Sequence, residues 1–199
     1  MKRFFIILFT TLLISGFAFA QEDDGDEYDD GYVYETNGAG DQFLKFGLGG
    51  QAPLSFGGAV KNGNGSLYWG GDIELGYYRF LNSWFGVGGE ISLSYNLSIG
   101  NKILVMLPIT GGVLLQPSIG KFEFPCFFNV GLAYETWQNM NYFPSFTAKA
   151  SVGAFYRINE SFSVGVSGIG LWIPQWFKDS SKNWNGLFAD INVTVRYHL

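Results

Sequence analysis

Leu187-Phe188-Ala189-Asp190-Ile191-Asn192-Val193-Thr194-Val195-Arg196-Tyr197-His198-Leu199 closes the chain and alternates almost without fault. Leu187, Ala189, Ile191, Val193, Val195, Tyr197 and Leu199 form one set; Phe188, Asp190, Asn192, Thr194, Arg196 and His198 form the other. Period two over such a length marks a strand with one apolar and one mostly polar face. Whether the apolar face meets lipid or a protein core decides the class of protein.

The same alternation recurs upstream. It predicts eight strands at roughly 42–50, 66–80, 84–97, 103–116, 122–135, 145–158, 161–173 and 186–199. Short connections are expected at Leu81-Asn82-Ser83, Pro117 to Lys121 and Asn159-Glu160. The others, at 51–65, 98–102, 136–144 and 174–185, are mostly longer and rich in Gly, Asn, Ser and Trp. An even strand number with short turns at one end and longer loops at the other is the pattern of a membrane barrel. No sustained helical period competes. The expected fold is all-β: an eight-stranded antiparallel up-and-down transmembrane β-barrel over residues 41–199.

The faces decide between lipid and water. The third strand sets Phe85, Val87, Ile91, Leu93, Tyr95 and Leu97 against Gly86, Gly88, Glu90, Ser92, Ser94 and Asn96. On all eight apolar faces no charge falls mid-strand, and Arg79 stands at a strand end where it can snorkel. A basic residue at the bilayer midplane costs about 2–4 kcal/mol, so this absence is what lipid exposure demands. The competing arrangement is a soluble barrel of lipocalin type with its apolar face inward. Its lumen would have to hold far more bulk than eight strands enclose.

Aromatic residues point the same way, because Trp and Tyr settle where hydrocarbon meets headgroup. Trp69, Tyr95, Tyr134, Trp137 and Trp172 are expected in a girdle at the loop end. Tyr77, Phe85, Tyr156 and Tyr197 are expected at the turn end. Pro108 and Pro125 fall inside expected strands of a sheet without a free edge, where bulges or local irregularity are expected.

The N-terminus predicts export. Lys2 and Arg3 precede an apolar run from Phe4 to Ile14, and Ala18-Phe19-Ala20 is an Ala-x-Ala-type cleavage site. Residues 1–20 therefore read as a signal peptide, with the mature chain beginning at Gln21. No other stretch reaches the ~20 apolar residues of a spanning helix. The mature chain carries a formal charge of −7, and seven acids lie between Glu22 and Asp30. Residues 21–40 accordingly read as a solvated, disordered periplasmic segment rather than a specific calcium site, since EF-hand spacing is missing. Charged residues make up only 15% of the chain, below the ~25% of soluble domains. With one cysteine, Cys126, a disulfide scaffold is excluded.

Two hairpins share their wording: Tyr78-Arg79, Asn82, Phe85 and Val87-Gly88 match Tyr156-Arg157, Asn159, Phe162 and Val164-Gly165. With the alternating last strand, they make residues 41–199 resemble the small eight-stranded outer-membrane barrels of the OmpW, OmpX and OmpA-barrel type. The general wording suggests a spirochaetal branch, on no single motif. The resemblance implies outer-membrane lipid around the barrel, periplasmic termini and insertion by the barrel assembly machinery. The terminal aromatic usual in that family is replaced here by Leu199.

Within the lumen, the inward parity predicts a polar network of Lys45, Asp72, Glu74, Glu90, Glu135, Lys149, Arg157, Asp190 and Arg196. Its near-balance of charge suggests an ion-paired plug. Leu104, Met106, Ile169, Leu171 and Phe188 are expected as an apolar patch toward the loop end. An apolar upper lumen above a polar plug could bind or pass a small hydrophobic molecule, which resemblance to OmpW-like barrels also implies; the plain alternative is that these side chains fill space. No catalytic residues, metal or cofactor are expected. The single histidine, His198, stands at the periplasmic end, away from any loop serine, and Cys126 reads as a small hydrophobe. A third class is a surface adhesin, in which Trp137, Tyr142, Phe143, Trp176, Phe177 and Trp184 would meet a host partner. The expected state is a monomer, with no nucleic acid bound.

Overall fold

A computed structural model describes residues 37–56, 67–98, 102–137, 140–176 and 183–199; the expected signal peptide and residues 21–36 of the acidic segment lie outside the described residues. The strands are β1 (Gln42–Phe56), β2 (Leu67–Phe80), β3 (Phe85–Ser98), β4 (Lys102–Leu115), the two-residue β5 (Ser118–Ile119) and β6 (Phe122–Glu123), β7 (Cys126–Trp137), β8 (Met140–Arg157), β9 (Phe162–Gln175) and β10 (Trp184–His198). Each long strand pairs antiparallel with its neighbour in sequence, and β10 returns to pair with β1. The result is a closed eight-stranded up-and-down barrel.

Alternation in sequence becomes alternation in burial. From Asp72 to Phe80, and from Glu90 to Ser98, buried and exposed residues strictly alternate. Apart from Arg79 at a strand end, the exposed set of the mid-strand residues is apolar: Leu75 is 58% exposed, Val193 61% and Ile191 72%. The buried set is mostly polar or small, with two clusters of large apolar side chains among it. A barrel with this inversion turns its bulk outward, and such a surface is stable only in hydrocarbon. The chain therefore spans a membrane with its strands.

The matching hairpins form the same turn. Asn82 Oδ1 accepts from the Trp84 (3.0 Å) and Phe85 (2.7 Å) amides, and Asn159 Oδ1 accepts from those of Ser161 (3.0 Å) and Phe162 (2.8 Å). An Asn side chain that caps its own turn explains why the wording repeats.

Several expected boundaries shift. Strand β1 runs to Phe56 rather than 50, and β8 begins at Met140 rather than 145, so only residues 138–139 join β7 to β8. These strand ends project past the apolar belt, where alternation is no longer required. Residues 37–40, expected in the disordered segment, are held at the turn end: Gly40 N donates to the Phe80 carbonyl (2.9 Å) and Asn37 is buried.

The prolines act by different means. The expected strand from 122 is broken at Pro125, and its first residues form the β5–β6 hairpin instead. That hairpin turns at Gly120, whose φ of 56° is left-handed and favours glycine. Pro125 still accepts at its carbonyl from Gly153 N (2.9 Å). No bulge forms at Pro108. The β3–β4 ladder pairs Ile91 with Ile109 and resumes at Ser94 with Met106, so the gap falls on the residue that lacks an amide hydrogen.

Inside, large rings lie on glycines of the next strand. A Cβ at Gly88 would stand 2.1 Å from the Tyr77 carbonyl oxygen and 2.5 Å from Tyr78 Cδ1; one at Gly165 would stand 2.7 Å from Phe155 Cγ. Gly88→Ala is expected to cost about 1–3 kcal/mol, because neither backbone nor packed ring can yield. Urea unfolding of the folded barrel, read by its gel mobility, measures the loss; an unchanged midpoint would contradict this packing.

Candidate functional site

The lumen collects the chemistry-bearing side chains, and all nine expected polar-network residues are buried in it. They do not form one balanced plug. They divide into three layers.

At the turn end, Arg196 lies between aromatic rings, with Cζ 3.8 Å from the Phe155 centroid and 5.1 Å from that of Phe43. Its NH1 donates to Gln116 Oε1 (2.8 Å) and its Nε to Ser163 Oγ (3.1 Å). Both Arg196 and Arg157 pair with Glu123; the Arg157 NH1 contact is 3.2 Å. Arg157 also ties in the chain ahead of β1, donating toward Asn37 Oδ1 (3.4 Å). Glu123 was not among the expected lumen residues. The β5–β6 hairpin holds it inward on the same odd-numbered parity as Asn129 and Glu135, so its signal was present in the sequence.

In the middle, two lysines and two glutamates form a crossed square. Lys45 Nζ contacts Glu74 Oε1 and Glu90 Oε1, both at 2.6 Å. Lys149 Nζ contacts Glu90 Oε2 at 2.7 Å and also Glu74. Tyr78 Oη donates to Glu90 Oε1 (2.9 Å) and accepts from Asn129 Nδ2 (2.7 Å). Each charge thus has two opposite partners, which is what closure from water requires. Gly76 faces Lys45 across β1–β2 and Glu90 across β2–β3, and a Cβ there would stand 3.1 Å from Glu90 Cγ.

Toward the loops, the layer is split between two walls. On one side Asp72 accepts from Asn192 Nδ2 (2.7 Å), and Asp190 faces Gln51 across the β1–β10 ladder. On the other, Leu104, Met106, Ala133, Leu171, Ile173 and Phe188 pack as one buried cluster, with Leu67 and Trp137 against it. Glu135 beside that cluster accepts from Gln175 Nε2 (2.6 Å). Asp72, Glu135 and Asp190 make no ion pair among the described residues. The expected near-balance of charge is therefore corrected: the bases are consumed below, and the loop-side layer is acidic.

Three further expectations are corrected. Ile169 is buried but stands apart from the apolar cluster, opposite Asp190 across β9–β10. Trp137 shares the inward parity of Glu135 and packs on the cluster instead of joining a girdle. The expected division into an apolar upper and polar lower lumen also fails, because a second apolar cluster of Phe43, Tyr78, Phe80, Leu114 and Phe127 occupies the turn-side lumen. Its signal was present, since Tyr78 shares parity with Asp72 and Glu74.

His198 does approach a serine: its Nε2 lies 3.0 Å from Ser163 Oγ. That hydroxyl is fully buried and also accepts from Arg196, while Arg157 NH1 lies within 3.0 Å of both ring nitrogens. A base flanked by guanidinium groups and a hydroxyl sealed from solvent tie the barrel end together rather than attack a substrate. A groove of about 410 Å³ lies outside the lumen, where Leu44, Leu75, Tyr77, Ile91 and Ile109 surround Gly89 on the apolar surface.

A closed barrel with an apolar exterior and a side-chain-filled lumen defines a small transmembrane β-barrel. Residues 22–197 match a protein-family model whose description names no activity, and the chain belongs to that family. A Treponema pallidum (strain Nichols) relative, described as "Uncharacterized protein", is 30% identical over 144 residues, or 67% of this chain. The chain spans 65% of that relative's length. Among solved structures, the Pseudomonas aeruginosa outer membrane protein OprG has a TM-score of 0.57 at 15% identity, covering 81% of this chain and 97% of its own. Neisserial surface protein A gives 0.59 at 8% identity, covering 80% and 97%. The Yersinia pestis attachment invasion locus protein Ail gives 0.51 at 10%, covering 81% and 99%. At these identities the likeness is one of fold, and the fold is that of small outer-membrane barrels.

Proposed function

We propose that the protein is an outer-membrane barrel that binds small hydrophobic molecules at the loop end of its lumen. The outer-membrane setting is supported by the fold of its structural neighbours and by the signal-peptide pattern at residues 1–20. Binding is supported by one observation above all: Leu104, Met106, Leu171, Ile173 and Phe188 converge at the loop end, above a mid-lumen closed by ion pairs. Met106 is unbranched and adapts its shape to a guest. The closed middle favours binding over passage along the axis.

The test uses the barrel reconstituted in lipid and a lipophilic fluorescent dye. Met106→Trp and Leu171→Trp fill the guest's space and are expected to weaken dye binding at least tenfold while the barrel stays folded. Unchanged binding in both variants, or none in the wild type, would refute this reading.

Exposed aromatic residues at the loop end favour an adhesive second reading: Trp69 is 76% exposed, Phe143 65% and Trp176 58%. Tyr142, Phe143 and Trp176 belong to or border the long strands, whereas Phe177 and the side chain of Trp184 lie outside the described residues. Alanine at Phe143 and Trp176 would abolish host-surface binding under this reading and leave dye binding intact.

A further inference from the structure

We propose that the loop-side lumen holds a hard divalent cation of calcium type between Asp72 and Asp190. The two carboxylates lie on β2 and β10, the strands that flank β1, and both are nine-tenths or more buried. Neither makes an ion pair among the described residues. Lys149, whose charge acts on both, is already in contact with Glu74 and Glu90. Two carboxylates removed from water without a counter-charge are costly, so the arrangement calls for a cation.

The surrounding side chains provide a second and independent observation. Gln51, opposite Asp190, is fully buried; its amide acts on the Asp190 carboxylate, while its Oε1 has no donor. Ser94, opposite Asp72 on β3, is buried with its hydroxyl unpartnered. Asn192 gives its Nδ2 to Asp72 while its Oδ1 has no donor, and Asp190 Oδ1 has none either. Buried polar groups are ordinarily satisfied, and four buried side-chain oxygens without a donor, on β10, β1 and β3, point to a missing common ligand.

Donor chemistry selects the class. No three of His, Cys, Asp or Glu converge among the described residues, so the two carboxylates are completed by neutral oxygens from amide and hydroxyl groups. A set of oxygens without nitrogen or sulfur suits calcium rather than zinc or copper. Gly49 makes room for it. A Cβ there would stand 2.0 Å from the Ile191 carbonyl oxygen and 2.1 Å from Asn192 Oδ1, so glycine serves both the close approach of β10 and the passage of that amide across β1 to Asp72.

The experiment compares thermal unfolding of the full-length folded barrel in calcium and in excess EDTA. Calcium is expected to raise the wild-type midpoint by on the order of 5 °C at saturation, and to leave Asp72→Asn/Asp190→Asn unmoved. Asp190→Asn alone is expected to equal or exceed the wild type in EDTA, because it neutralises an unbalanced charge; it carries the test should the double variant fail to fold. Terbium luminescence, sensitised by nearby aromatic residues, should appear in the wild type and fall at least tenfold in Asp190→Asn. Equal wild-type midpoints in calcium and EDTA would overturn the proposal. So would a calcium shift that persists in both variants, which would assign the ion to the acidic residues between Glu22 and Asp30.

Discussion

Glu90→Ala is expected to remove about 3–5 kcal/mol of barrel stability, the usual cost of breaking a buried ion pair from one side. Glu90 contacts Lys45 (2.6 Å) and Lys149 (2.7 Å) and also accepts from Tyr78. Its loss leaves two ammonium groups sharing one carboxylate in a space closed to water. The penalty comes from the orphaned charge, not from the pair's intrinsic strength. Adding Lys45→Met should therefore recover a substantial part of it, because the remaining Lys149–Glu74 pair is again balanced. Urea unfolding of the lipid-reconstituted single and double variants measures both. A loss below about 1 kcal/mol for Glu90→Ala would mean that water reaches the square, and the lumen would then not be closed there.

Ile191→Arg is expected to cost about 2–4 kcal/mol in lipid, the figure for a guanidinium near the bilayer midplane of a barrel. Ile191 lies midway along β10 and is 72% exposed. Such an exposed position on a soluble protein tolerates the same change within about 0.5 kcal/mol. Leu75→Arg, on β2, should behave alike. Arg79 already occupies the outward face at a strand end, so Tyr77→Arg, one step nearer that end, should cost less than Leu75→Arg. A flat profile along β2 would contradict a lipid-facing surface.

The architecture was legible because a barrel wall needs only period two and turn chemistry, both local. Ile191, Val193 and Val195 announced the outward face, and Asn82 and Asn159 announced their turns. What failed was of two kinds. Gln51 to Phe56 and Met140 to Pro144 looked like loop because strand ends beyond the apolar belt lose alternation, although their backbone still pairs. The lumen's layering was illegible because strand tilt decides which rows meet. Lys149 on β8 reaches Glu74 on β2 across the lumen, and no spacing along the chain encodes that contact. Glu123 and Tyr78 were both readable by parity, Glu123 with Asn129 and Glu135 and Tyr78 with Asp72 and Glu74.

The continuous apolar face of the barrel meets lipid, and the face that carries the polar network is sealed inside; site-directed spin labelling tests this most directly. Single cysteines at Leu75, Ile91, Val130 and Val193, in a Cys126→Ser background, carry nitroxides on four strands of the reconstituted barrel. A lipid-facing surface predicts strong relaxation by oxygen, which concentrates in hydrocarbon, and almost none by a water-soluble nickel chelate. Strong relaxation by the chelate at these mid-strand positions would place the apolar face in water and contradict it.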